Sequence, residues 1–311
     1  MVPFAWVEII VNSETMKRAV IDWEQHLLAQ AEAKIYKEID GADPLRIHFY
    51  VPEGSGEGSP RPLLLFLNGG AWDRAAVGQF APQALYYASR GAVAGLVEVR
   101  NRASHPGSVP GDARCDLHDA LRFVRGQAEV LRIDPAKVVA VGAGSGGHTA
   151  GAAALLPPVN ESRLKTKFRI GAAPAAVTRP DGVIMISALV AFDRHEYGAD
   201  RFASSAEARR ASLRLHVTAG QPPWLILHGT LDRVAPCEDA EDLAMALQQR
   251  RNLCDFFPFE GRDHYFANLH VDPSSYEASL QLMDEFLARH KFLDLPEGDG
   301  ARIITRSHAD F

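Results

Sequence analysis

The chain predicts an α/β fold: one mainly parallel sheet with helices on both faces. Three observations carry this. Short apolar runs alternate with segments of helical period along most of the sequence. Several of those runs are continuously apolar, as expected of strands covered on both sides. The chain has 311 residues, 47% hydrophobic and 23% charged, enough for one large domain with a substantial core.

The elements follow in order. Residues 13–34 read as one amphipathic helix, capped by Asn12 or Ser13. Residues 47–51 alternate like a strand, and the Gly- and Ser-rich stretch 52–60 cannot bury anything, so it is a loop. Residues 63–67 form a buried strand, 79–90 a helix closed by Gly91, and 93–99 the next strand. Leu117, Ala120, Leu121 and Val124 recur at helical spacing within 112–131. A strand over 138–141 runs into a helix of small residues over 146–156. Strands at 183–186, 224–227 and 254–257 and helices at 236–250 and 274–290 complete the alternation. Weak periodicity and several prolines in 157–222 suit a small cap or pocket rim. The expected division is a helical extension over 1–34, a main domain over 35–293 and a polar tail over 294–311.

Bulk properties exclude some functions. A net charge of −6 offers no basic surface for nucleic acid. No apolar run reaches the roughly 18 residues that span a bilayer. Met1 to Trp6 lack the basic and apolar regions of a signal peptide, so a cytoplasmic location is expected. Cys115, Cys237 and Cys254 are odd in number and widely spaced; they read as free thiols, without metal spacing or a disulfide framework. His105, His118 and His195 show no ligand spacing, so neither metal nor cofactor is expected. A homodimer through the sheet edge or the N-terminal helix is one arrangement the sequence allows.

The chemistry concentrates in three segments. Gly142-Ala143-Gly144-Ser145-Gly146-Gly147-His148 joins a buried strand to a helix through a glycine turn, the layout of a nucleophile elbow. Asp232 follows the strand ending in His228-Gly229, at the sheet edge where open α/β sheets bind ligands. His264 lies in a loop after the last strand. Acyl transfer needs a nucleophile, a base, an acid that orients the base, and donors for the oxyanion. Ser145, His264 and Asp232 supply the first three in the chain order Ser, Asp, His. Asn68-Gly69-Gly70-Ala71-Trp72, after another strand, supplies backbone N–H groups; Gly69, Gly70, Ala71 and Gly146 are the expected oxyanion donors. Trp72 and Tyr265 are candidates to line a substrate pocket. His148, one turn into the helix, suits packing, and Arg100 and Arg102 suit salt bridges.

These motifs resemble those of the α/β-hydrolases of the hormone-sensitive-lipase and feruloyl-esterase-like group, which includes acetyl esterases and carbohydrate esterases. The resemblance runs from about residue 34 to 292. It includes Gln79-Phe80-Ala81-Pro82-Gln83, Ala88-Ser89-Arg90-Gly91, Ile133-Asp134-Pro135 and the segments around Asp232 and His264. It implies a cofactor-free serine hydrolase acting on small acyl or sugar-linked esters. The chain departs from the family twice. Asn68 stands where the family has His. The family's Gly-x-Ser-Ala-Gly-Gly-His pattern puts its serine on Gly144, with Ser145 falling on the Ala. Three readings stay open: a shifted elbow in which Ser145 attacks, a pseudo-hydrolase that binds a ligand or partner, and a His264–Asp232 pair that activates water.

Overall fold

The computed structural model describes residues 14–52, 59–74, 76–156, 178–194 and 197–294. An eight-stranded sheet runs through it in the order β1-β2-β4-β3-β5-β6-β7-β8. Its strands are β1 (Glu32–Lys37), β2 (Leu45–Tyr50), β3 (Arg61–Leu67), β4 (Val93–Val97), β5 (Ile133–Ala143), β6 (Gly182–Ile186), β7 (Trp224–Gly229) and β8 (Cys254–Phe259). Only the pairings of β1 with β2 and of β2 with β4 are antiparallel. The six strands from β4 to β8 run parallel, as the sequence predicts.

Each parallel strand feeds both faces. Leu63, Leu65 and Leu67 of β3 join the core on one side, while Leu64 and Phe66 join the other. The first side is closed by α3 (Pro110–Gly126), α5 (Ser145–Leu155) and α7 (Cys237–Gln249), through residues such as Leu117, Ala153 and Leu243. The second is closed by α2 (Ala81–Ser89) and α8 (Pro273–Arg289), through Tyr87, Met283 and Phe286. This two-sided burial is why the strands read as unbroken apolar runs. The remaining helices are α1 (Glu14–Leu28) and the short α4 (Ala128–Leu131) and α6 (Ser205–Arg210), the last capped by the Ser204 hydroxyl.

One expectation fails at the N-terminus. The helix read over 13–34 stops at Leu28, and Glu32–Lys37 is a strand paired with β2. Ala31, Glu32 and Ala33 favour helix locally, but pairing against β2 and burial of Tyr36 and Lys37 override that preference. The sheet therefore begins at Glu32, before residue 35. Lys37 is buried against Asp116 and within 2.6 Å of Asp119, so β1 is tied to α3 by charge. The proposed cap falls partly on 157–177, outside the described residues, as does the tail beyond 294. Among the described residues no helix is long and apolar enough to cross a membrane.

Candidate active site

The carboxyl ends of β3, β5, β7 and β8 meet around one cavity of about 360 Å³. Its wall includes Gly70, Ala71, Gly144, Ser145, His264 and Tyr265.

Asp232 sits in the turn after β7 with every carboxylate position in use. Its Oδ1 accepts from the amides of Val234 and Ala235, both at 2.8 Å. Its Oδ2 accepts from His264 Nδ1 at 2.7 Å, with His228 Nε2 at 3.2 Å. Burial alone would raise its pKa. The donors from His228, His264 and the backbone outweigh that and hold the carboxyl well below the usual range. His264 is brought within reach by a glycine: a Cβ on Gly229 would lie 2.4 Å from the Arg262 carbonyl oxygen. Only a residue without a side chain lets the His264 loop fold onto the end of β7. With Nδ1–H donated to Asp232, the other ring nitrogen, Nε2, carries the lone pair and faces the elbow.

The elbow turns on Gly144, with φ +53° and ψ −117°. This is a conformation that L residues rarely adopt and that nucleophile elbows impose. The Gly144 amide donates to Ile186 O, and its carbonyl accepts from Leu189 N, which pins the turn to the end of β6. A Cβ on Gly144 would lie 3.5 Å from His264 Nε2, an ordinary van der Waals contact. The small-residue rule is met two positions either side of Gly144: a Cβ on Gly142 would come within 2.4 Å of the Gly146 backbone. Ser145 is one residue later, the first of α5, and only 3% exposed. One residue along a helix rotates a side chain by roughly 100°, away from the direction of its predecessor. Among the described residues the Ser145 hydroxyl bonds to none, His264 included.

Two of the expected oxyanion donors are placed otherwise. The Gly69 amide is already taken by Gln79 Oε1 at 2.8 Å. Gly146 lies beneath the turn, where a Cβ would come 2.2 Å from the carbonyl oxygen of Leu67 and 2.5 Å from that of Asn68, and outside the cavity wall. The amides of Gly70, Ala71 and Ser145 remain, and none of them donates to a described residue. Gly70, Ala71 and Trp72 all have positive φ (111°, 53° and 59°), a strained run of the loop whose first two residues line the cavity.

Trp72 is also corrected. It is 5% exposed and donates from Nε1 to Thr149 Oγ1, within an aromatic cluster of His148, Phe192 and Phe202. It is buried beneath the loop and outside the wall of this cavity; with Gly69, Ser145 and Gly146 it lines a small neighbouring one. His148 is core too: Nδ1–H donates to Leu189 O, and burial pushes its pKa down to about 4. Tyr265 does line the cavity, 58% exposed, with its ring edge-on to His264. Arg100 is committed to Asp116 and Asp112, and Arg102 to Asp200 O. Among the described residues no group of three or more His, Cys, Asp or Glu is arranged to hold a metal.

Sequence reading missed much of the wall, including Gln79, Glu24 and Arg74. Gln79 holds the oxyanion loop and lies within a motif already singled out, so a signal existed. Glu24 of α1 and Arg74, just past the oxyanion loop, face the same cavity and bond to no described residue. Glu24 has a raised pKa because burial penalises its charge. Nothing local in the sequence marks it, since its position depends on how α1 docks.

Residues 47–247 match the BD-FAE family. This chain belongs to the BD-FAE family. Its fold is that of the α/β-hydrolases, shared with an esterase, Est2, of the planctomycete Thermogutta terrifontis: 30% identity over 88% of this chain and 96% of that one, TM-score 0.76. Est2 has also been seen with propionate bound, again at 30% identity and TM-score 0.76, covering 87% of this chain and 98% of that one. A further Est2 structure is phosphorylated by paraoxon, at 31% identity and TM-score 0.74, covering 86% of this chain and 96% of that one. Among curated relatives, a probable isoprenylcysteine alpha-carbonyl methylesterase of Oryza sativa is 24% identical over 70% of this chain and 54% of its own length. The probable carboxylic ester hydrolase LipM of Mycobacterium tuberculosis is 27% identical over 60% of this chain and 45% of its own. The chain spans about half the length of the curated relatives it matches. The names of these relatives and neighbours are those of esterases, methylesterases or carboxylic ester hydrolases.

Proposed function

We propose that this site takes up a small carboxylic ester, or the acid derived from it, and forms no acyl-enzyme. The carbonyl oxygen would rest among the amides of Gly70, Ala71 and Ser145, with the acyl group in the cavity beside Tyr265. One observation carries the reading: the position within reach of His264 Nε2 is Gly144, which has no group to attack with. Propionate and butyrate bound to the similar Est2 support a short acyl group. A triad that loses its serine loses on the order of 10⁶ in turnover. The protein is then, first, a binder of small acyl ligands on a hydrolase scaffold.

A second reading, an acyl-enzyme on Ser145, draws on the unbonded Ser145 hydroxyl that lines the cavity. A fluorophosphonate probe followed by intact mass and peptide mapping separates the two. The proposal expects no adduct on the native chain and an adduct on the new serine of Gly144→Ser. Labelling of Ser145 in the native chain would overturn it. Binding of butyrate, followed by calorimetry, checks the ligand class; absence of binding at millimolar concentration would count against it.

A further inference from the structure

We propose that the site hydrolyses its ester in one displacement, with water as the nucleophile where a serine hydroxyl would otherwise stand. This rests on the small-ester reading above and adds a turnover that binding alone does not require.

The geometry favours it in three ways. A Cβ at Gly144 would touch nothing closer than His264 Nε2 at 3.5 Å and Gly69 Cα at 3.8 Å. Glycine there leaves room for one heavy atom, the size of a water, beside the ring. The base is fully equipped: Nδ1–H is held by Asp232, whose carboxylate also accepts from two backbone amides and lies 3.2 Å from His228 Nε2, so Nε2 is aimed at that space. The amides of Gly70, Ala71 and Ser145 lie along the same cavity.

The step balances without any other reactant. Water gives one proton to His264 Nε2 while its oxygen forms a bond to the ester carbonyl carbon. The carbonyl pair moves onto oxygen, which the three amides receive. Asp232 stabilises the imidazolium and stays ionised. The tetrahedral intermediate then collapses, the bond to the alkoxy group breaks, and the leaving oxygen takes the proton back from Nε2. One water is consumed, one acid and one alcohol are released, and His264 returns to its starting form. Nothing is left on the protein at any stage.

The test uses purified protein and 4-nitrophenyl butyrate, with butyrate binding measured in parallel. The proposal expects steady turnover without a burst and no butyryl mass gain on the chain during turnover. His264→Gln should lower turnover by about 10²-fold or more, the range of a general base. Gly144→Ala and Gly144→Ser make a matched pair, since both put a Cβ on the same strained turn. The alanine should fill the water's place and abolish turnover. The serine should raise it and introduce a burst with a butyryl adduct. Butyrate binding without His264-dependent turnover would overturn the proposal and leave the binding reading standing. Failure to bind butyrate at all would remove the reading beneath it. A butyryl adduct on Ser145 of the native chain would overturn both.

Discussion

The two sides of this site differ in what holds them. On one side, Asp232 caps its own turn, receives two histidines and fixes His264 in a single tautomer and orientation. On the other, the elbow keeps its strained backbone, its tight glycine neighbours and its ties to β6, yet presents no side chain at the apex. The difference teaches that an acid–base pair can persist for reasons of folding. Removing Asp232 would leave buried donors unmet, whereas removing an apex hydroxyl disturbs nothing that packs. An intact Asp–His pair is therefore no proof of serine chemistry, and the apex has to be inspected by itself.

Four experiments test that contrast. The largest effect belongs to the apex. Gly144→Ser should increase turnover of 4-nitrophenyl butyrate by on the order of 10²-fold or more, given the size of a triad serine's contribution. An unchanged rate in a folded variant would mean that the acid–base side is not poised for catalysis. Next is the backbone beneath the apex. Gly142→Ala would push a methyl to within 2.4 Å of Gly146, and should cost about 3 kcal/mol or more in denaturant unfolding. A loss under ~0.5 kcal/mol would show that the elbow relaxes freely.

The third concerns the acid. In the folded chain the Asp232 pKa lies below its unfolded value of about 3.9. Its stabilisation is thus complete above about pH 5 and is lost as pH falls through the folded value. Asp232→Asn should be less stable than the native chain at pH 7 by about 1–3 kcal/mol. That gap should narrow as the pH drops below about 4. A gap that stays constant under acid would detach the stabilisation from the carboxylate's charge. The smallest effect is expected at Trp72. Trp72→Phe loses the bond to Thr149 and some packing, for about 1–2 kcal/mol in thermal unfolding. Butyrate affinity should not move; a tenfold change would return Trp72 to the pocket wall.

Much of this was legible in the residues. Continuous apolar runs marked the strands because both faces of the sheet are covered. The order of elbow, Asp232 and His264 marked the site because those loops close on one sheet edge. The fate of individual amides was not legible. Whether Gly69 faces a ligand depends on where Gln79 swings its carboxamide, ten residues on. Trp72 looked like wall because it follows the oxyanion loop; its positive φ turns it down among His148, Phe192 and Phe202 instead. The alternative of apex Gly144 or Ser145 could not be decided by counting, since both have small flanking residues. Contacts distant in sequence separate them: the ring of His264 and the end of β6. Strand β1 was hidden by helix-favouring residues whose partner strand lies beyond a turn.

The docking of α1 has a separate consequence. Gly78 has no side chain, and a Cβ there would lie 2.8 Å from the Glu24 carbonyl oxygen. The helix therefore settles directly onto the 3-10 turn Val77–Phe80, and Glu24 becomes part of the cavity wall. One side of the pocket is thus furnished by a segment that takes no part in the sheet. The reactive groups and the ligand's outer contacts belong to separate pieces of chain, so they can diverge at different rates. Exchanging α1 alone would redraw the pocket's charge while leaving Asp232, His264 and the elbow untouched.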